Sequence, residues 1–125
     1  MKIIKQTHIL HGPPEEVYMA LTNPFTIELW TGYPAEMSTE PGFEFSMWEG
    51  DIVGKVLKCE QDKLVEQEWY FGEQEEQSVV TFNLSAKGEH TEVQLTHINI
   101  PEDAYDEMKD GWKNMFFAQL KKYYK

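Results

Sequence analysis

The chain has 125 residues, a length that fits one domain with a sizeable core, and its 41% hydrophobic and 14% aromatic content argues against disorder. Its 11 lysine and arginine residues are outnumbered by 22 acidic residues, which gives a formal net charge of −11. This charge repels phosphate backbones and anionic lipid, so we expect no nucleic-acid partner and no membrane partner.

A single cysteine, Cys59, excludes an intramolecular disulfide. The apolar run at the N-terminus is too short and too interrupted for a signal peptide, and no stretch approaches the ~20 apolar residues that span a bilayer. No repeat, low-complexity tract or Pro/Ser linker divides the sequence. We therefore expect one cytoplasmic domain over residues 1–125.

The N-terminal part of the chain predicts one strand and two short helices. The strand covers residues 2–11 and ends at Gly12, and the two prolines that follow suit a first helical turn, where a missing N–H costs little. The first helix stops at Asn23, because the residue before a proline avoids helical geometry. A second helix covers about Phe25–Leu29 and ends at Trp30.

Alternating apolar and polar residues then predict a series of strands joined by turns. The strands are Phe43–Met47, Ile52–Glu60, Leu64–Phe71, Val79–Ala86 and Thr91–Asn99. An acidic loop covers Gly72–Gln77, and Lys87–His90 is a hairpin connection.

The last predicted element is a long aromatic helix over Pro101–Tyr124, whose large apolar residues recur every three or four positions and so share one face. These residues are Tyr105, Met108, Trp112, Met115, Phe116, Leu120 and Tyr123. Consecutive antiparallel strands make a curved meander, and only this helix is long enough to fill its concave side. The fold class is therefore α+β, with a curved antiparallel sheet of about six or seven strands wrapped round the C-terminal helix.

Short motifs follow one another along nearly the whole chain: Val17-Tyr18, Ala20-Leu21-Thr22-Asn23-Pro24, Trp30, Pro41-Gly42-Phe43-Glu44-Phe45, Gly54-Lys55-Val56, Leu64-Val65 with Trp69, Val80-Thr81-Phe82-Asn83-Leu84, Thr91-Glu92-Val93-Gln94-Leu95-Thr96-His97 and Gly111-Trp112. In this order they resemble the activator of heat-shock-protein-90 ATPase homologue (AHSA-type) family of the START-like, SRPBCC helix-grip superfamily. The resemblance implies a small single-domain member of bacterial type with the helix-grip (Bet v-like) fold. It leaves the function open, because the superfamily includes lipid carriers, hormone receptors, polyketide cyclases and co-chaperone domains.

Candidate ligand-binding residues are those that the predicted fold directs into the gap between sheet and helix. They are Trp30, Phe45, Met47, Gln67, Trp69, Phe82, His97, Trp112, Met115 and Phe116. Bulky rings on both walls fit an open apolar pocket and a filled gap equally well. Gln67 and His97 are the polar members, and each is either a structural hydrogen bonder or an anchor for a ligand.

Motifs for common enzyme chemistry are absent from the sequence: it contains no GxSxG, HExxH, CxxC, phosphate-binding loop or dinucleotide fingerprint. His8 and His11 are three residues apart, which on a strand places them on opposite faces. We therefore predict no catalytic residues, no metal and no cofactor, although a polyketide-cyclase-like site would need no motif.

Three functions are compatible with these features. The leading hypothesis is a non-catalytic binding module that holds a hydrophobic or amphipathic small molecule in a sheet–helix cavity. The second is a protein-interaction domain resembling the chaperone activators, whose acidic surface meets a basic client or a chaperone, and the third is a polyketide-cyclase-like enzyme. The chain acts as a monomer or as a homodimer that pairs through exposed aromatic residues such as Trp48, Phe117 and Tyr124.

Overall fold

The computed structural model of the protein describes residues 2–72 and 76–124. The strands of this part are β1 (Lys2–Leu10), β2 (Glu44–Met47), β3 (Ile52–Glu60), β4 (Leu64–Trp69), β5 (Ser78–Lys87) and β6 (His90–Ile100). The helices are α1 (Pro14–Thr22), α2 (Pro24–Thr31), α3 (Tyr105–Gly111) and α4 (Phe117–Tyr123), with a π-helical turn over Trp112–Phe116 and short 3-10 turns over Trp48–Gly50 and Glu102–Ala104.

The six described strands form one antiparallel sheet in the order β1–β6–β5–β4–β3–β2. Strands β2 to β6 are neighbours in chain order, and β1 completes the sheet beside β6. Both short helices and the C-terminal helix contribute to a single hydrophobic core with the strands. This arrangement confirms the predicted α+β helix-grip fold.

The start of α2 shows why the two short helices are separate. The Asn23 side chain accepts hydrogen bonds from the backbone N–H groups of Phe25 (3.0 Å) and Thr26 (3.1 Å), which have no partner inside the helix. At the other end, Gly32 adopts a left-handed φ of 85° that ends the helix. The second helix therefore runs from Pro24 to Thr31, slightly longer than predicted.

The predicted strands are found with small changes at their ends. The hairpin between β5 and β6 turns over residues 88–89, because Lys87 already pairs with His90. Strand β4 ends at Trp69 instead of Phe71. The predicted acidic loop contains residues 73–75, which lie outside the described residues.

The C-terminal helix contains one turn of π-helix, which changes which side chains face the sheet. The Phe117 N–H bonds to the carbonyl of Trp112, five residues back instead of four, so this turn holds one extra residue. Phe116 and Phe117 are consequently both buried, with exposed fractions of 4% and 1%. Met115 is 55% exposed at the edge of the helix instead of deep in the gap, so its predicted position was wrong.

The aromatic residues predicted for a dimer interface are less exposed than expected. Phe117 lies in the core, and the prediction that it is exposed was wrong because the π turn rotates it inward. Its ring stacks on His8 of β1, with centroids 3.9 Å apart and planes 9° apart. Trp48 and Tyr124 are half-buried, and the Tyr124 hydroxyl donates a hydrogen bond to the Glu16 carbonyl.

Gly54 allows the sheet to pack closely at β3. It pairs with Phe45 on β2 and with Trp69 on β4. A Cβ at this position would collide with the backbone carbonyl of Glu68 and would lie 2.9 Å from the Phe45 ring. The ring of Phe45 therefore covers a position that only glycine can occupy without a backbone shift.

We predict that Gly54→Ala lowers the free energy of unfolding by about 2 kcal/mol, because the methyl group has to displace backbone atoms. Urea unfolding monitored by circular dichroism measures the change. Gly111→Ala is the matched control, since its Cβ meets nothing within 4 Å in a helical backbone. That control should gain about 0.5–1 kcal/mol, and a Gly54→Ala protein as stable as the wild type would contradict the packing argument.

Candidate functional site

Aromatic rings occupy the interior between the sheet and the C-terminal helix. Trp112 is 1% exposed, and its ring centroid lies 4.7 Å from that of Trp69, 4.8 Å from that of Phe116 and 5.7 Å from that of Phe82. Trp30 contacts the same cluster, since its ring meets Phe116 edge-on at 5.1 Å. These rings fill much of the space between sheet and helix, for which the sequence allowed either an open pocket or a filled gap.

A chain of hydrogen bonds ties the C-terminal helix to the sheet through His97, which is fully buried on β6. The Trp112 indole donates to His97 Nδ1 at 3.0 Å, and His97 Nε2 lies 2.8 Å from Ser78 Oγ on β5. Because an indole N–H can only donate, Nδ1 is the acceptor and Nε2 carries the proton that Ser78 accepts. Ser78 in turn donates to the carbonyl of Ile98 at 3.2 Å.

This hydrogen-bond pattern requires a neutral imidazole. A proton on His97 Nδ1 would face the Trp112 N–H, donor against donor. Burial lowers the pKa of His97 from 6.5 to about 4. In this structure His97 is therefore a structural histidine held by a hydroxyl and an indole. This is one of the two roles that the sequence allowed, the other being an anchor for a ligand.

Gln67 is also bound inside the protein. It is 3% exposed, its Oε1 accepts a hydrogen bond from the Trp69 indole at 2.9 Å, and its Nε2 lies 4.0 Å from the sulfur of Met37. The Trp30 indole similarly donates to the Ala20 carbonyl at 2.8 Å. The polar groups among the predicted ligand residues thus bond to other protein groups in this structure.

The candidate site is an open cleft of about 440 Å³ at one end of the sheet–helix interior. Three segments form it: the turn before β3 with the start of that strand, the end of β4, and the first half of the C-terminal helix. Its lining residues are Trp48, Asp51, Ile52, Val53, Trp69, Tyr70, Phe71, Glu107, Met108, Asp110, Gly111, Trp112, Met115 and Phe116.

Of the predicted ligand-binding residues, Trp69, Trp112, Met115 and Phe116 line the cleft. The other six are buried away from it: Trp30, Phe45, Met47, Gln67, Phe82 and His97. The remaining lining residues were not predicted as site residues, because they come from a turn, from strands and from the helix, and no sequence pattern shows that these segments meet. Only their meeting in the fold identifies them.

The backbone of the turn beside the cleft is unusual. Trp48, Glu49 and Gly50 have successive φ values of 51°, 55° and 92°, a left-handed run that tryptophan rarely adopts. The Trp48 ring packs edge-on against Trp30 at 5.4 Å and lies 5.8 Å from Phe116. These ring contacts stabilise a conformation that the backbone alone disfavours.

His8 is the second buried histidine of the described residues. Its Nε2 lies 2.8 Å from Gln6 Oε1, while its Nδ1 has no hydrogen-bond partner among the described residues. Burial, with Lys121 and Lys113 nearby, lowers its pKa to about 4. Residues 2–72 and 76–124 contain no group of three or more histidine, cysteine, aspartate or glutamate side chains that could hold a metal ion.

No helix of the described residues is long and apolar enough to cross a membrane.

Comparison with known proteins gives one family. The family model for Activator of Hsp90 ATPase homolog 1-like proteins matches residues 11–125. Among curated relatives, the mouse protein "Activator of 90 kDa heat shock protein ATPase homolog 1" is 26% identical over 110 residues, which cover 86% of this chain and 32% of that protein. The chain thus spans about a third of the length of that relative.

Solved structures show the same fold. A crystal structure of an HSP90 activator from Plasmodium falciparum has a TM-score of 0.86 and 27% identity, covering 96% of this chain and 94% of that one. The solution structure of the Aha1 dimer from Colwellia psychrerythraea has a TM-score of 0.84 and 24% identity, covering 99% and 96%.

The buried histidines predict how stability depends on pH. Between pH 6.5 and pH 4 the unfolded chain binds protons at His97 and His8 that the folded chain does not, so stability is fully present above pH 6.5 and falls as the pH drops towards 4. His97 alone accounts for about 3 kcal/mol of this loss. Urea unfolding of the wild type at pH 7, 5.5 and 4 measures it.

His97→Gln separates this effect from general acid sensitivity. The variant is less stable at pH 7, and its loss between pH 6.5 and pH 4 should be smaller than that of the wild type by about 3 kcal/mol. His90→Gln, at an exposed position, is the control for the substitution itself and should be as stable as the wild type at pH 7. Equal losses in the wild type and in His97→Gln would show that His97 is not the neutral group that the geometry requires.

Proposed function

The chain belongs to the family of Activator of Hsp90 ATPase homolog 1-like proteins, and within that family we propose that it is a non-catalytic binding module whose open cleft holds an apolar or amphipathic small molecule. The observation that carries the proposal is the cleft itself. Its volume of about 440 Å³ lies in the usual range of small-molecule sites. The rings of Trp69, Trp112 and Phe116 form its floor. In this proposal residues 1–125 act as one START-like domain.

The proposed site lies at the mouth of the sheet–helix gap instead of deep inside it. Trp112 and Phe116 fill the gap between sheet and helix, and part of each ring lines the cleft. Met108 and Met115 stand on the helix side, and Met115 is exposed enough to change rotamer around a ligand. Such a site can bind the apolar part of a ligand while the core side chains keep their packing.

The chemistry of the lining supports binding without catalysis. General acid–base catalysis needs a titratable group within hydrogen-bond reach of the reacting atom. His97, whose ring nitrogens are both engaged, does not line the cleft. The acidic lining residues Asp51, Glu107 and Asp110 are exposed to solvent, which suits a rim better than an activated acid or base.

A substitution at Gly111 tests the cleft without disturbing the core. This residue lines the cleft, and a Cβ added to it meets nothing within 4 Å. We predict that Gly111→Phe weakens binding of the neutral fluorescent probe N-phenyl-1-naphthylamine at least about tenfold by filling the cleft, as the loss of an apolar contact area of this size implies. Titration of the probe fluorescence measures the affinity.

Gly111→Ala is the matched control, because a methyl group leaves most of the cleft open. It should bind the probe with nearly wild-type affinity. If the wild type does not bind the probe, or if Gly111→Phe binds it as tightly as Gly111→Ala, the cleft is not the ligand site.

A second candidate function is contact with an Hsp90-type chaperone. It is favoured by the likeness to the Plasmodium falciparum protein described as an HSP90 activator, which this chain matches over 94% of that protein's resolved length. The net charge of −11 would steer a basic surface of a partner towards the chain. This candidate does not exclude a ligand in the cleft.

Salt dependence tests the chaperone candidate. We predict that the affinity of the chain for a purified Hsp90-type chaperone falls about tenfold between 50 and 300 mM NaCl, because salt screens the attraction between exposed charges. Fluorescence anisotropy of a labelled chain measures it. A complex that is equally tight at both salt concentrations would show that the acidic surface does not drive the contact, and the absence of any complex would reject this candidate.

A further inference from the structure

We propose that the ligand of the cleft is a small amphipathic amine, with its ammonium group beside Asp51 and its apolar body on the aromatic floor. The inference rests on the proposed function of the cleft as a ligand site and names the chemical class that the site takes. Two features carry it. The lining is divided into an aromatic floor and an acidic rim, and none of its described residues is basic.

The floor of the cleft consists of buried aromatic surface. Trp69, Trp112 and Phe116 are each at most 4% exposed, so only a small part of each ring faces the cleft. An apolar group that covers these surfaces gains from the removal of water.

The rim carries carboxylates from two segments of the chain. Glu107 and Asp110 are three residues apart on α3 and therefore project from one side of the helix. Asp51 lines the same cleft from the turn that precedes β3. Asp110 accepts a hydrogen bond from Asn114 at 2.7 Å, which orients one carboxylate oxygen.

No lysine, arginine or histidine lines the cleft among the described residues. Lys109 lies between Glu107 and Asp110 in sequence, but its ammonium is 5.9 Å from the centroid of the Tyr105 ring. Neither Asp51 nor Glu107 has a basic partner in residues 2–72 and 76–124. A positively charged ligand would supply the counter-charge that these side chains lack.

An adjoining cavity of about 550 Å³ strengthens the choice of Asp51 as the position of the ammonium group. Trp48, Asp51 and Met115 line both spaces, so Asp51 stands where they meet. The adjoining cavity adds Glu49, and it too has no basic residue in its described lining. Asp51 therefore stands at this junction with Glu49 on one side and the aromatic floor on the other.

Three compounds, each with a phenyl ring on a four-carbon chain that ends in a different polar group, test the proposal. 4-Phenylbutylamine, 4-phenylbutanol and 4-phenylbutyrate are cationic, neutral and anionic at pH 7. Isothermal titration calorimetry should give an affinity about tenfold higher for the amine than for the alcohol, and the acid should bind more weakly than the alcohol. The difference between amine and alcohol should shrink when NaCl is raised from 50 to 300 mM.

Variants that remove one negative charge test where the ammonium group binds. Asp51→Asn should lower the affinity for the amine about threefold, Glu107→Gln should lower it less, and both should leave the affinity for the alcohol unchanged. Glu89→Gln removes the same charge from the exposed turn between β5 and β6, which does not line the cleft. It should leave both affinities at the wild-type value. All three positions are exposed, and circular dichroism checks that each variant is folded.

The outcomes separate this proposal from the one on which it rests. If the alcohol binds but the amine binds no more tightly, or if Asp51→Asn and Glu107→Gln keep the full preference for the amine, the cleft is a ligand site without selectivity for amines. If none of the three compounds binds, both the amine proposal and the proposed function of the cleft are overturned.

Discussion

The hydrogen bond between the Trp112 indole and the His97 ring sets the depth at which the C-terminal helix lies on the sheet. Both residues are at most 1% exposed, so loss of either partner leaves a buried polar group unsatisfied, at a cost of about 1–3 kcal/mol. The indole keeps the imidazole in one tautomer, and Ser78 on the neighbouring strand accepts the proton of the other ring nitrogen. Since Trp112 is also part of the cleft floor, the shape of the candidate site depends on this buried contact.

Most of the fold could be predicted from the sequence, because strand alternation and helical spacing are local properties. The π turn could not, since a helical period of 3.6 assumes that every turn holds the same number of residues. One extra residue in the turn over Trp112–Phe116 brings Phe117 against His8 and leaves Met115 at the surface. The wrong predictions are therefore Met115 in the turn and Phe117 directly after it, whereas Trp112 and Leu120 are buried as the helical spacing predicts.

The candidate site could be predicted only in part, because the relevant residues meet through tertiary structure. Trp69, Trp112 and Phe116 were expected between sheet and helix for their size and spacing, and they form the cleft floor. Gln67 and His97 were open to two readings, since no sequence pattern shows that a tryptophan N–H will bond to each of them. The acidic rim was missed because the sequence shows only that these carboxylates are exposed on a turn and on a helix. It does not show that a cleft lies between the two segments.

The π turn has an evolutionary consequence as well as a geometric one. The helical half before it carries the exposed rim residues Glu107 and Asp110, while the half after it carries Phe117 and Leu120, which are buried against the rest of the fold. Substitutions at Glu107 and Asp110 change the rim without removing a core contact, whereas substitutions at Phe117 and Leu120 are constrained by packing. Descendants of one ancestral chain can therefore diverge in what they recognise while they inherit the same scaffold.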